Sequence, residues 1–219
     1  MARRSKVLEL FSVRSDAADI LERGAMLLCD FAREDAAELV AAIGRIAAAA
    51  PFRRMVTPGG FTMSVAMTNC GTRGWITDRR GYRYVADDPE SCRPWPEMPP
   101  GFMTLAARAA DTAGFPGFAP DSCLINRYMP GARMSLHQDR DERDFGQPIV
   151  SVSLGLPATF LWGGAARRDP TRRLRLQSGD VVVWGGPARL FFHGIDTLAE
   201  GADPLTGDCR YNLTFRKAQ

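Results

Sequence analysis

The chain contains two histidines, His137 and His193, and the first lies in Leu136-His137-Gln138-Asp139, an H-x-D pattern. In an extended segment, residues two apart point to the same face, so His137 and Asp139 can aim an imidazole and a carboxylate at one point. Two neutral imidazoles and one carboxylate form the facial triad that suits Fe(II), leaving three coordination positions open. H-x-D alone is a common pattern. For His193, between Phe192 and Gly194, the alternative is a core histidine resting on a backbone carbonyl. Near the C terminus, Arg210 and Arg216 are six residues apart in an alternating segment. Alternation puts Asn212 and Thr214 on their face, and Tyr211, Leu213 and Phe215 on the other. Guanidinium binds carboxylate in a two-pronged fork, so such a polar face suits a dicarboxylate ligand. A solvated outer face is the alternative for this strand taken alone. Full extension would hold the two arginine Cα atoms about 20 Å apart, so one small ligand can use both only through strand twist or inward reach.

A jelly-roll of short strands can return these distant segments to one cavity. After Asp121 the pattern has period two: Val150, Val152, Leu154 and Leu156 alternate with Ser151, Ser153 and Gly155. Strands are also predicted at 124–128, 159–162, 180–184, 190–194 and 210–216, separated by Gly and Pro signals. A helix is predicted over 33–50, with Leu39, Ile43, Ile46 and Ala47 at helical spacing and Pro51 ending it. A second covers 102–113, with Phe102, Leu105, Ala106 and Ala109 on one face and Gly114 as its stop. Residues 51–100, rich in Gly, Pro, Thr and aromatics, read as short strands and long loops where a substrate lid could sit. The first thirty residues carry no clear pattern. The fold class is therefore α+β, mainly β: helices preceding an antiparallel jelly-roll or barrel, without an internal repeat or interdomain linker.

Composition narrows the function classes. A chain of 219 residues fits one domain, and 45% hydrophobic with 24% charged residues supports a core and excludes global disorder. No apolar run approaches the roughly 20 residues of a membrane helix. The basic start, Met1 to Lys6, lacks the apolar core of a secretion signal. These features lead us to expect a soluble, cytoplasmic protein, with a monomer as the default. Cys29, Cys70, Cys92, Cys123 and Cys209 are scattered and never spaced C-x-x-C, which argues against a disulfide framework or a zinc-thiolate site and for free thiols in a reducing compartment. A net charge of +3 permits a polyanionic partner without requiring one. Of 28 basic residues only Lys6 and Lys217 are lysines.

Taken together, Asn126-Arg127-Tyr128, His137-x-Asp139, His193 and Arg210-x-Asn212-x-Thr214-x-Arg216 resemble the AlkB family of nucleic-acid demethylases. The stretch from Met55 to Gly71 (MVTPGGFTMSVAMTNCG) and that from Ile149 to Pro157 (IVSVSLGLP) carry the same resemblance, which runs from about Leu8 to Lys217. It implies one dioxygenase domain over 1–219: a double-stranded β-helix (jelly-roll) catalytic core at 121–217 and a nucleotide-recognition lid at 52–98. It further implies Fe(II) on His137, Asp139 and His193, with 2-oxoglutarate and O2 as co-substrates. By resemblance, 2-oxoglutarate is held by Asn126, Tyr128, Arg210, Asn212 and Arg216, without a choice of which arginine takes which carboxylate. Leu124, Ser151 and Trp184 form the pocket wall, and Arg127, Tyr211, Leu213, Thr214 and Phe215 complete the motif segments assigned to the co-substrate.

The implied activity is repair of N-alkylated bases such as 1-methyladenine and 3-methylcytosine in DNA or RNA, without a choice between them. Oxidation of the alkyl carbon, coupled to decarboxylation of 2-oxoglutarate to succinate and CO2, gives a hydroxymethyl adduct that collapses to formaldehyde and the repaired base. The base must leave the stack to reach the metal. By the family pattern Trp75 and His137 sandwich it, and Asp141 accepts from the exocyclic amine. Tyr82, Arg83 and Tyr84 form a basic-aromatic cluster suited to phosphate contact and stacking, and Arg167 is a further contact. Their alternatives are a core Trp75, an Asp141 that belongs to a solvated charge run, and an ordinary edge strand at 82–84. The sequence departs from the family at Phe61, where a lid tyrosine is expected, and in the extension Met1–Val7. Two other readings share part of the pattern: a 2-oxoglutarate oxygenase acting on protein or small molecules, which the lid stretch from Met55 to Tyr84 disfavours, and a non-catalytic nucleic-acid-binding barrel, which the complete triad and both arginines disfavour.

Overall fold

The computed structural model describes residues 19–219, so the extension Met1–Val7 lies outside the described residues. The N-terminal half contains β1 (Asp19–Glu22), β2 (Ala25–Leu28), α1 (Ala36–Ala49), β3 (Ala66–Gly71), β4 (Gly74–Asp78), β5 (Gly81–Val85), β6 (Asp87–Asp88), β7 (Arg93–Pro94) and α2 (Pro100–Thr112). Then come β8 (Ser122–Tyr128), β9 (Met134–His137), β10 (Ile149–Gly155), β11 (Ala158–Trp162), β12 (Arg172–Leu176), β13 (Val181–Trp184), β14 (His193–Ile195) and β15 (Arg210–Arg216). A seven-stranded sheet has the order β1-β2-β13-β10-β15-β8-β3, and a four-stranded sheet the order β12-β11-β14-β9. All their pairings are antiparallel. The hairpin β4–β5 and the short ladder β6–β7 stand outside both sheets. This is the jelly-roll architecture expected from the period-two pattern.

The large sheet is buried on both faces. Val150, Val152, Leu154, Val181, Val183, Leu213 and Phe215 pack against α1 and α2 through Leu39, Ile43, Ile46, Phe102 and Leu105. The opposite face, carrying Leu124, Tyr128, Val182 and Trp184, joins Phe160, Trp162 and Ile195 of the small sheet. Both helices have local causes. Leu39, Ile43 and Ile46 are buried at helical spacing on α1, which stops at an extended Ala50 just before Pro51. Helix α2 starts on Pro100, whose missing N–H costs nothing at a first helical position. It ends in a Schellman turn at Gly114 (φ 86°), with Phe115 N–H bonded to Ala110 O and Gly114 N–H to Asp111 O.

Several expectations need correction. The strand predicted at 190–194 is only His193–Ile195, because Gly186-Pro187-Ala188 forms a 3-10 turn and Phe191 N–H closes back onto Ala188 O. Strand β12, Arg-Arg-Leu-Arg-Leu, was not predicted; it is the edge of the small sheet, where a charged sequence is ordinary. Strand β9 ends at His137, so Asp139 lies just past the ladder rather than within it. The large sheet also draws β1, β2 and β3 from outside 121–217, and β3 lies inside the stretch 52–98. Among the described residues no helix is long and apolar enough to cross a membrane.

Candidate active site

The small sheet brings the histidines together. Across β9 and β14, His137 and His193 are paired residues. Close approach needs Gly194, where a Cβ would lie 2.6 Å from the Met134 carbonyl oxygen. The ligating atoms of His137, Asp139 and His193 lie within 4.8 Å of one another. His137 Nδ1 donates to Ser135 O at 2.9 Å and His193 Nδ1 donates to Phe191 O at 3.0 Å. Each carbonyl fixes a tautomer that leaves Nε2 free as a ligand, which is the usual outer support of a metal-binding imidazole. Those Nε2 atoms stand 3.7 and 3.9 Å from the two carboxylate oxygens of Asp139.

Charge in this cluster is set by burial and by Arg216. The guanidinium donates to Asp139 Oδ2 from Nη2 at 2.8 Å and from Nε at 3.1 Å. Burial pushes the Asp139 carboxyl up, but Arg216, His193 and His137 outweigh it and hold the group well below the usual carboxylate range. Burial, reinforced by His137, holds the His193 imidazole down to about 4, so it is neutral at pH 7. A neutral imidazole and an ionised carboxylate are the protonation states a divalent cation requires.

The sheet register supplies the remaining polar wall. On β15, Arg210, Asn212, Thr214 and Arg216 all face the cavity and all are buried, so the strand is not a solvated outer face. Opposite them on β8 stand Tyr128, Asn126 and Leu124, and on β10 Ser151 pairs with Thr214. Trp184, with its ring centroid 4.8 Å from that of His193, closes the wall. The cavity so enclosed has a volume of about 390 Å³. Its polar groups are incompletely satisfied: Arg210 Nε, Asn126 Oδ1 and Trp184 Nε1 are buried without a hydrogen-bond partner. Arg210 is held in place by Leu156 O at 3.1 Å and Ser153 Oγ at 2.6 Å. Its burial lowers its pKa to about 10, which leaves it cationic. Orphaned donors beside a fixed cation fit an incoming carboxylate.

Four residues of the motif segments do not reach this cavity. Tyr211, Leu213 and Phe215 point to the helix side of the sheet, as strand alternation requires. Arg127, the cross-strand partner of Tyr211, stacks its guanidinium on Phe52 at 4.6 Å, and Tyr211 stacks on the same ring. They pack beneath the site and make no contact within it.

The mouth of the cavity is aromatic and basic. Trp75, Tyr82, His137, Asp141 and Arg167 all line it. Trp75 stacks on Tyr82 with centroids 5.6 Å apart and donates from Nε1 to Asp141 Oδ2 at 2.7 Å. Arg167 lies over Phe192 at 5.8 Å. The turn before β3 exposes Phe61, 76% accessible, next to Gly60 at φ 84°. Arg83 and Tyr84 are placed otherwise than expected. Arg83, on the other face of the hairpin, pairs with Asp78 at 2.6 Å, and the Tyr84 hydroxyl donates to Glu142 at 2.5 Å. Sequence reading missed Met63, Met67 and Phe160 in the lining, because an apolar residue on a strand carries no sign of which cavity it faces. It also missed Arg189, whose type alone could have raised the question.

The comparisons with known proteins agree with this geometry. A sequence model of the 2OG-Fe(II) oxygenase superfamily matches residues 24–216. The alpha-ketoglutarate-dependent dioxygenase AlkB of Escherichia coli is 58% identical over 212 residues, covering 97% of this chain and 98% of that one. The DNA N(6)-methyladenine demethylase ALKBH1D of Arabidopsis thaliana is 35% identical over 149 residues, 55% of this chain and 33% of the relative. The solved structure of OsALKBH1 superposes with a TM-score of 0.82 at 28% identity, covering 92% of this chain and all of that one. The chain belongs to the AlkB family of Fe(II)- and 2-oxoglutarate-dependent dioxygenases.

Proposed function

We propose that this dioxygenase removes alkyl groups from ring nitrogens of nucleic-acid bases such as 1-methyladenine and 3-methylcytosine, in DNA or RNA. The observation that carries the reading is the continuity of one cavity, with His137, Asp139 and His193 at its centre, the unsatisfied Arg210 at its inner end and Trp75, Tyr82 and Asp141 at its mouth. His137, Asp139 and His193 would hold Fe(II), which when bound would activate O2 for oxidation of the alkyl carbon, with 2-oxoglutarate oxidised to succinate and CO2. Arg210, with its free Nε, would take the remote carboxylate of 2-oxoglutarate. Arg216, already paired with Asp139, belongs to the metal end. Asn126, Tyr128, Ser151, Asn212 and Thr214 supply polar contacts between them, and Leu124 and Trp184 exclude water.

At the mouth, the base would enter between Trp75 and His137. The Asp141 carboxylate would exchange the Trp75 indole N–H for the exocyclic amine of adenine or cytosine. Tyr82 and Arg167 flank the entry and suit a phosphate backbone. The stretch 52–98 acts as the lid, apart from the strand it lends to the large sheet. None of the five cysteines, all among the described residues, is in a disulfide, which suits a reducing, cytoplasmic setting, and a monomer accounts for every group in the site.

The test is anaerobic loading with Fe(II), then 2-oxoglutarate, O2 and an oligonucleotide carrying 1-methyladenine or 3-methylcytosine. Loss of one methylene unit by mass spectrometry, with succinate formed in step, is the expected result. Succinate without demethylation would move the substrate to another class.

A further inference from the structure

We propose that Tyr84 is a positioning residue that couples the lid hairpin β4–β5 to the metal-holding loop, through Glu142 and Arg189. The proposal rests on the metal assignment above. Tyr84 and Trp75 are cross-strand partners on the hairpin. They bond to consecutive residues of the loop after β9: Trp75 to Asp141 and Tyr84 to Glu142. The Trp75 bond is at the exposed mouth, where an entering base can replace it. The Tyr84 bond is internal, onto a carboxylate whose side chain is 1% accessible.

From Glu142 the chain of contacts runs straight to the metal site. Its Oε2 accepts from Arg189 Nη2 at 2.9 Å, and its Oε1 stands 3.5 Å from Arg216 Nε. Arg189 Nη1 donates to the backbone oxygen of Asp139 at 2.6 Å, and Arg189 Nε donates to Gln147 O at 2.9 Å. Next to Arg189, the carbonyl of Leu190 accepts from Gln138 at 2.5 Å. Arg189 thus ties the loop holding Asp139 to the segment leading into His193. Two carboxylates and two guanidiniums alternate in this buried cluster. Such a network is no more stable than a well-packed apolar one, but it fixes geometry as long as every member is present. Among the described residues Tyr84 is the lid residue hydrogen-bonded into it, so a displaced hairpin pulls on Glu142 and, through Arg189, on the backbone of a metal ligand.

The test is hydrogen exchange in the hairpin Gly74–Val85, measured on the full chain with and without Mn(II) and 2-oxoglutarate and in the absence of nucleic acid. Loading should slow exchange in the wild-type hairpin. In Tyr84→Phe, which leaves Glu142 bonded to Arg189, loading should no longer slow it, and exchange should be roughly tenfold faster in both states, the effect of one hydrogen bond to a charged group. Because coupling between two sites is reciprocal, the combined affinity for Mn(II) and 2-oxoglutarate in Tyr84→Phe should fall, by no more than the factor by which loading slows exchange in the wild-type hairpin. With nucleic acid added, Tyr84→Phe should form more succinate per base demethylated. A wild-type hairpin indifferent to loading, or full metal-dependent slowing in Tyr84→Phe, would overturn the coupling. Failure of the wild type to bind Mn(II) would strike the metal assignment itself, and the proposal with it.

Discussion

His137 and His193 face one another across β9 and β14 with ring centroids 4.4 Å apart, each with its Nδ1 on the carbonyl two residues before it. The pairing turns both Nε2 atoms toward one carboxylate and makes the site a property of the sheet register. Slipping β14 by one residue would send His193 to the outer face. The same carboxylate is held by a buried ion pair with Arg216 at 2.8 Å.

Removing that carboxylate should therefore damage the apo protein as well as the enzyme. Asp139→Ala leaves Arg216 buried beside Glu142 alone, and breaking a buried pair on one side costs about 3–5 kcal/mol. Urea unfolding of the metal-free variant should show a loss of that order, and calorimetry should detect no specific Mn(II) binding. Wild-type Mn(II) affinity in the variant would remove Asp139 from the ligand set.

The parts of the site legible in the sequence are those carried by alternation and by rare residue types. With only two histidines in the chain, His193 was available as a partner for His137-x-Asp139, and the face shared by Arg210, Asn212, Thr214 and Arg216 followed from period two. Alternation also puts Tyr211, Leu213 and Phe215 on the opposite face, and they pack on the helix side of the sheet, so their place in the motif comes from the strand they share with the arginines. Tyr84 and Arg83 were misplaced because a two-stranded hairpin outside both sheets gives no sign of which face it turns inward. Glu142 and Arg189 lie in loops with no period at all. Their burial follows from a charge balance formed only in three dimensions.

The acid response of the apo protein follows from His193. Its folded pKa, about 4, lies below the ordinary 6.5, so between those values the unfolded chain binds a proton that the folded one refuses. Stability from this group is complete above pH 6.5 and is lost as pH falls toward 4, at up to about 1.4 kcal/mol per pH unit. Urea midpoints of the metal-free protein should fall over this window, and less steeply in His193→Gln. An equal slope in the two proteins would show that His193 is not the group responsible.

Arg210 combines two structural bonds with one unmet donor, and lysine cannot reproduce that fork. Arg210→Lys should weaken 2-oxoglutarate binding roughly 10- to 100-fold, the worth of a charge-assisted hydrogen bond. Mn(II) affinity should stay at the wild-type value, since Arg210 has no bond to the triad. Isothermal titration of the Mn(II)-loaded protein with 2-oxoglutarate separates the two. A parallel loss of metal affinity would mean that the substitution has disturbed β15 as a whole.

Asp141 separates base recognition from co-substrate turnover. Its carboxylate bonds the Trp75 indole at the mouth of the cavity and has no bond to the triad or to Arg210. Asp141→Ala therefore removes an acceptor for the exocyclic amine and frees the Trp75 ring, while the inner cavity keeps all its contacts. Demethylation of 1-methyladenine and 3-methylcytosine should fall about 10- to 100-fold in kcat/KM, as expected for a lost hydrogen bond to a charged acceptor. Decarboxylation of 2-oxoglutarate without nucleic acid should keep most of its rate. Succinate and repaired base counted in the same reactions give both numbers. If the two fall together, Asp141 supports the metal loop, and recognition of the amine must be sought elsewhere at the mouth.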